Sequence, residues 1–367
     1  MLRRRSSLDA GASPASSSHH PKSKNRVKKY STGRPELDRL ISELLQKAGH
    51  SPHQDLLQEM MTTVLRLQDE KVGRGDLKIF NTSLKELRYA AKVFSPYRDK
   101  RKVAIFGSAR TLRTDPAYQQ AKVFAEEITR HGWMVITGGA SGIMGAGNEG
   151  AGGAKSFGMN IRLPLEQEAN PIIAKDPKLI NFKYFFTRKL IFLKESDATV
   201  LFPGGFGTHY EGFETLTLVQ TGKTEPRPII CIDPPKSNYW KIWRDFVEKE
   251  LLKEKMIDTE DLELIEFTHD IDVAVEKIMS FYRNFHSLRF IGDELIIRMQ
   301  KPLDAEKMNR LNREFKDLVR SGKIEAAQKP LMEEENQPET HHLARLVFCF
   351  NRRDFSRLRK MIDVINE

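Results

Sequence analysis

The chain has 367 residues, 39% apolar and 30% charged, enough for one large core with solvated appendages, and no run of 18 apolar residues that would span a membrane. Its net charge of +10 points to a polyanion until it is located: residues 1–34 carry nine Lys/Arg (Arg3, Arg4, Arg5, Lys22, Lys24, Arg26, Lys28, Lys29, Arg34) against Asp9, which is +8 of the total. The rest is nearly balanced, which argues against nucleic acid as the partner of the folded part.

The basic start, Met1 to Ser7, is followed by no apolar stretch, so it does not read as a secretion signal and a cytoplasmic protein is expected. Residues 1–34 are rich in Ser, His and Pro and lack hydrophobic periodicity; they are expected to be a disordered tail. From Pro35, Leu37, Leu40, Ile41, Leu44 and Leu45 keep helical spacing, and Leu56, Leu57, Met60, Met61, Val64 and Leu65 repeat it. Two amphipathic helices follow, broken at Gly49 and Pro52, and a further helix is expected around Leu84–Phe94. Residues 35–99 are thus a helical extension whose apolar stripes must be covered.

At Lys102 the pattern changes to strands alternating with helices. Strands are predicted at Val103–Phe106, Trp133–Thr137, Met159–Leu163, Ala198–Phe202 and Pro228–Ile232. Helices are predicted at Asp115–His131, from Ile143, and at Phe185–Glu195, Thr208–Thr221, Tyr239–Lys253 and Asp270–Phe285. Strands joined through helices imply a Rossmann-like, doubly wound α/β sheet over residues 100–286. Residues 287–367 read as a small α+β module, with one or two strands in Leu288–Met299, a helix Asp304–Val319, a strand Leu343–Phe350 and a helix Asp354–Asn366. Cys231 and Cys349 each lie in an apolar run, which favours buried small hydrophobes over a disulfide or a metal site.

In open α/β sheets, ligands bind beyond the carboxyl ends of the strands. Three predicted strand ends carry glycine or small polar residues: Gly107-Ser108, Gly138-Gly139-Ala140-Ser141-Gly142, and Pro203-Gly204-Gly205-Phe206-Gly207-Thr208. Glycine permits close backbone approach, and the following helix N-terminus offers unpaired N–H groups, a combination suited to phosphate. Gly139, Gly142 and Gly145 do not have the spacing of the dinucleotide fingerprint, and that segment reads equally well as a tight turn. The run from Pro203 is more specific. Beyond it Glu211 and Glu214 lie three residues apart on one helix face. Two acids facing a phosphate loop would repel the anion unless something sits between them, and a ribose fits: its hydroxyls donate to carboxylates, and positive charge develops at C1′ as a base departs.

Pro203–Glu214 resembles the PGGxGTxxE signature of the LONELY GUY family, long mislabelled as lysine decarboxylase. Thr187-Arg188-Lys189 resembles its Arg-Lys pair, and Gly138–Ala151 its GGGxxGxMG segment, with Ile143-Met144-Gly145-Ala146 retained. Phe185-Phe186 stand where the family usually has Met-His, a region lining the base pocket, and His209-Tyr210 where it commonly has Leu-Glu. The resemblance, over about residues 100–285, implies hydrolysis of the N-glycosidic bond of nucleoside 5′-monophosphates, of AMP type or cytokinin riboside monophosphates, to free base and ribose 5-phosphate. It implies Arg188 and Glu211 as the catalytic pair. Ser108, Gly139, Met144, Gly204, Gly205, Gly207, Thr208 and Glu214 would bind substrate. No cofactor and no metal is expected, since no histidine pair has zinc-site spacing. A homo-oligomer without membrane attachment is expected. Three other classes are weighed: a nucleotide-binding or sensing module without turnover, which needs the phosphate loop but not both Arg188 and Glu211; a nucleic-acid-binding protein, suggested by the basic tail and opposed by the near-neutral remainder; and a pyridoxal-phosphate decarboxylase, for which no Schiff-base lysine stands out.

Overall fold

The computed structural model describes residues 30–163, 168–327, 330, 334 and 337–367. The basic tail to residue 29, with the disorder expected of it, lies outside the described residues. The chain divides into two compact units, Met1–Ile79 and Phe80–Glu367.

In the first unit, α1 (Pro35–Ala48) and α2 (Gln54–Asp69) form a pair. Proline in the first turn of α1 costs no hydrogen bond, because that N–H has no acceptor in the helix. Gly49 ends α1 with φ of +121°, a conformation that a side chain rarely takes. Arg34 donates to both carboxylate oxygens of Asp69 at 2.8 and 2.9 Å, tying the start of α1 to the end of α2. Ile41 is buried, but Leu40, Leu44, Leu56, Met60 and Val64 of the expected apolar stripes are exposed. Helix α3 (Arg74–Phe94) starts ten residues before the expected Leu84. Gly73 and Gly75 and the polar residues between obscure its first turns in the sequence, while Asp76 favours helix there by offsetting the N-terminal dipole.

The second unit is built on a parallel sheet. In chain order it comprises β1 (Lys102–Phe106), α4 (Pro116–Arg130), β2 (Met134–Thr137), α5 (Ile143–Ala151), β3 (Ser156–Ile161), β4 (Leu179–Phe182) and α6 (Phe185–Glu195). It continues through β5 (Ala198–Leu201), α7 (Phe206–Gln220), β6 (Ile229–Ile232), α8 (Tyr239–Phe246), β7 (Glu266–Thr268) and α9 (Ile271–Phe281). The strand order is β4-β3-β2-β1-β5-β6-β7, every neighbouring pair parallel. This is the doubly wound arrangement expected, with two edge strands, β4 and β7, that were not foreseen. Both are four residues or shorter and sit among polar residues, so they lack a readable apolar run.

The alternation of strand side chains splits the core in two. Val103 and Ile105 of β1, Val135 of β2 and Val200 of β5 pack with α4, α5 and α9 on one face. Ala104, Phe106, Met134, Ile136 and Leu201 pack with α3, α6, α7 and α8 on the other. Cys231 belongs to this second face and is fully buried, which pushes its thiol pKa well up; Cys349 is half-buried, and both are free.

The C-terminal module contains β8 (Phe285–Ile291), β9 (Glu294–Met299), α10 (Ala305–Glu314), β10 (Val319–Ala327), β11 (Ala344–Phe350) and α11 (Phe355–Asn366). Its antiparallel sheet has the order β10-β11-β9-β8, and α10 and α11 share a core with it. Strand β10 escaped the sequence pattern because it is an irregular edge strand, VRSGKIEAA, in which only Ile324 is buried. Glu334 is fully buried between Arg298 and Arg345, at 2.7 and 2.8 Å. Removing that carboxylate leaves two buried guanidinium groups short of a counter-charge. Glu334→Ala is expected to cost about 3–5 kcal/mol in denaturant unfolding; a loss below about 1 kcal/mol would show that water compensates the arginines.

Candidate functional site

The chain winds outward from β1 through β2 and β3 to β4, then returns to place β5 on the other side of β1. At that reversal the loops after β1 and β5 diverge and leave a crevice at the carboxyl ends of the strands. Three loops lock together there. The Ser108 N–H donates to the Pro203 carbonyl at 3.1 Å, and the Ile143 N–H to the Ser108 carbonyl at 3.0 Å. A Cβ on Gly142, whose φ is +65°, would stand 2.2 Å from the Ser108 carbonyl oxygen, and one on Gly107 within 2.7 Å of the Ile143 side chain. These two glycines serve contact between loops, a use the sequence pattern did not distinguish from contact with a ligand.

A cavity of about 620 Å³ opens between the loops. Of the residues expected at the site, Ser108, Met144, Arg188, Gly205, Gly207, Thr208 and Glu211 line it together. Gly204, Gly139 and Glu214 do not. Gly204 lies behind the lining, where a Cβ would meet Thr208 Oγ1 at 2.1 Å. Gly139 turns with φ of +76°, and its carbonyl accepts from the N–H and the side-chain amide of Asn170 at 2.8 and 3.0 Å. Glu214 is paired with the buried Lys189 at 2.5 Å. Phe106, Arg110, Asn160, Phe206 and Tyr210 also line the cavity. Nothing in their spacing marks them out, because Arg110 and Asn160 come from loops and strands far apart in sequence.

Helix α6 brings Arg188 to the cavity wall. Its start is held by Glu86 of α3, which accepts from the Lys183 N–H at 2.6 Å and the Thr187 hydroxyl at 2.5 Å. Arg188 Nε donates to the Met159 carbonyl of β3 at 2.8 Å, and its Nη2 lies against Gly138, where a Cβ would stand 2.6 Å away. The guanidinium is therefore fixed on one edge. Burial pushes its pKa down, and Glu211 opposes that shift.

Glu211 sits in the second turn of α7 and is only 8% exposed. Burial pushes its pKa up to about 7; Arg188 and Lys189 pull it back, and Glu214 adds to the rise. Among the described residues it makes no ion pair within 4.0 Å, so Arg188 acts on it through the field rather than through contact. A carboxyl poised near neutrality can either take or give a proton. One turn earlier, Phe206 and Gly207 present first-turn N–H groups that have no acceptor within the helix. The cavity thus has unpaired helix N–H groups, of a kind that suits an anion, at the start of α7 and a titratable carboxyl one turn deeper.

A larger cleft, about 910 Å³, lies at the other ends of β1 and β5, lined by Lys102, Asp197, Glu225, Arg227, Tyr282 and neighbours. It contains neither a glycine loop nor any of the expected residues. Among the described residues no group of three or more His, Cys, Asp or Glu is placed to hold a metal, and no helix is long and apolar enough to cross a membrane.

Residues 144–278, which include Arg188, the glycine-rich loop 203–208 and Glu211, match the family model described as "Possible lysine decarboxylase". The α/β domain thus matches, over those residues, the family whose motifs it resembles. Here it carries a helical N-terminal extension and an antiparallel C-terminal module. No curated protein matches the chain. Among solved structures, the molybdenum cofactor binding protein of the phototrophic bacterium Rippkaea orientalis is 20% identical, over 49% of this chain and 96% of its own, with a TM-score of 0.35. The molybdenum cofactor carrier protein of Chlamydomonas reinhardtii is 19% identical, over 49% and 99%, at 0.34. DNA processing protein A of Helicobacter pylori is 16% identical, over 49% and 80%, at 0.35.

Proposed function

We propose that the cavity binds a nucleoside 5′-monophosphate and hydrolyses its N-glycosidic bond. The observation that carries this reading is the buried Glu211 carboxyl, one helical turn beyond an anion-binding helix start and in the field of Arg188. In this pose the 5′-phosphate lies at the N–H groups of Gly205, Phe206 and Gly207 with the Thr208 hydroxyl, and the ribose reaches inward to Glu211. The C1′–N bond breaks with its electron pair going to the base, which takes up a proton. Water adds to C1′ and gives up a proton, leaving ribose 5-phosphate. Glu211 as carboxylate stabilises the cationic C1′ or accepts the proton of that water. Arg188, held by Met159, orients Glu211 and the substrate. Phe185 and Met144 line the remainder, where the base would lie. Phe206, exposed at the cavity, belongs to a surface that we expect a second copy to cover.

A second reading, binding without turnover, is favoured by one observation: with Glu214 paired to Lys189, Glu211 is the single carboxylate lining the cavity among the described residues. The phosphate requirement tests what both readings share. AMP should bind at least about tenfold more tightly than adenosine, the scale of one or two charge-assisted hydrogen bonds, and titration calorimetry reads the difference. Equal affinities would remove the anion cradle from either reading.

A further inference from the structure

The carbonyl of Gly204 points away from the cavity, to the side chain of Tyr239 at the start of α8. The Tyr239 hydroxyl donates to it and also lies 2.6 Å from Nε2 of His209. A hydroxyl has one proton, and a carbonyl can only accept, so that proton belongs to the Gly204 bond. His209 Nε2 must therefore carry its own hydrogen and donate to the tyrosine oxygen, which fixes the imidazole tautomer. The imidazole is held for this. It stacks on the Tyr239 ring at 5.8 Å and 27° and lies edge-on to Trp240 at 5.8 Å. Its burial pushes its pKa down, so it is neutral near pH 7 and needs no counter-ion.

The direction of this hydrogen bond matters because a trans peptide sets its C=O and the next N–H on opposite sides. With the Gly204 carbonyl anchored toward Tyr239, the Gly205 N–H faces the other way, and Gly205 lines the cavity. On the side where a Cβ would stand, Gly204 is crowded by Thr208 Oγ1 and the Ser108 backbone nitrogen, 2.1 and 2.9 Å from that position. The Gly205 carbonyl is turned inward as well, accepting from the Thr208 N–H at 3.0 Å. His209 also stands where the resembled family commonly has leucine.

We propose that His209 and Tyr239 are a positioning pair: the chain His209–Tyr239–Gly204 holds the phosphate-loop peptide so that the Gly205 N–H is presented to the substrate's 5′-phosphate. The inference rests on the anion cradle proposed above. Neither side chain touches substrate. Without the pair, the Gly204–Gly205 peptide is free to rotate and part of the phosphate affinity is lost, while the chemistry at C1′ is not.

The test uses the full chain, with AMP, ribose 5-phosphate and adenosine as probes in titration calorimetry and, where base is released, steady-state kinetics. Tyr239→Phe should weaken AMP and ribose 5-phosphate about 5- to 30-fold, the range of one hydrogen bond. Adenosine affinity should stay within about twofold, and kcat for AMP within about threefold. His209→Leu should weaken the phosphorylated probes less, and His209→Gln, which restores a donor near the same place, should recover most of that loss. If the wild-type chain binds AMP no better than adenosine, the anion cradle itself fails. If the wild type prefers AMP and Tyr239→Phe keeps that preference, the cradle stands and the positioning pair is refuted. Should Tyr239→Phe fail to fold, the histidine variants decide: equal AMP affinity in His209→Leu and wild type overturns the proposal, and a loss rescued by His209→Gln supports it.

Discussion

Glu211→Gln is expected to reduce base release from AMP by about 10²-fold or more, the usual scale of a lost acid–base group, while AMP binding changes by no more than about threefold. Glutamine keeps the shape and the hydrogen-bonding edge of the side chain but can neither ionise nor accept a proton. The wild-type reaction should follow the ionisation of this group. Glu211 is held near 7 by burial, so the carboxylate form and hence the rate should rise with pH between about 6 and 8. In Glu211→Gln that limb should vanish along with the activity.

The same burial fixes the sign of a stability effect. A carboxyl whose folded pKa lies above its unfolded value near 4.5 binds its proton more tightly in the folded state. Its contribution is therefore fully present below about pH 4.5 and is lost as the pH rises through about 7. Glu211→Gln, a permanent mimic of the neutral form, should be more stable than wild type at pH 8, by up to about 3 kcal/mol, and equal to it at pH 4. A variant that is both dead and more stable at pH 8 separates a functional carboxyl from a structural one. Destabilisation at pH 8 would mean that the charged form is needed for packing.

Gly142→Ala is expected to destabilise the α/β domain by about 3 kcal/mol or more and to abolish phosphate binding with it. Two costs act together. The backbone at Gly142 has φ of +65° and ψ of −138°, a region essentially closed to residues with a Cβ. The added methyl would also stand 2.2 Å from the Ser108 carbonyl oxygen and 2.6 Å from the Ala109 carbonyl carbon. Both are backbone atoms and cannot rotate away. Relief requires the loop after β1 to leave the loop after β2, which breaks the 3.0 Å hydrogen bond from Ile143 to Ser108 and widens the cavity. Gly205→Ala is the control: a Cβ there meets nothing within 4 Å, so the fold should be kept. Thermal unfolding of the two variants reads the contrast, and similar melting temperatures would contradict it.

The central strands and most of the site were legible because their signals are local. The run Val103-Ala104-Ile105-Phe106 is apolar on both faces, as a doubly covered strand must be, and β1 occupies those residues. Pro203-Gly204-Gly205 after the apolar run Ala198–Phe202 marks a strand end and a helix start, and α7 begins at Phe206. What was not legible depends on contacts between distant residues. Strands β4 and β7 are short and gain their place by pairing at the sheet edges. Glu214 reads as a partner of Glu211 by helical spacing alone, and only the packing of α6 against α7 shows Lys189 taking it up. Gly107 and Gly142 read as well for a ligand approach as for a tight turn, and only the structure shows that their missing side chains make room for Ile143 and Ser108. His209 and Tyr239 are 30 residues apart, on different helices, and no periodicity connects them.

The central claim is turnover, and direct product analysis tests it most plainly. Full-length protein incubated with AMP, GMP, CMP, IMP and isopentenyl-AMP, followed by chromatography, should yield free base and ribose 5-phosphate in equal amounts from at least one of them, and neither product from the matching nucleoside. Saturable binding of these nucleotides with no base released above the rate of Glu211→Gln would contradict the claim and leave the cavity as a nucleotide-binding site without turnover.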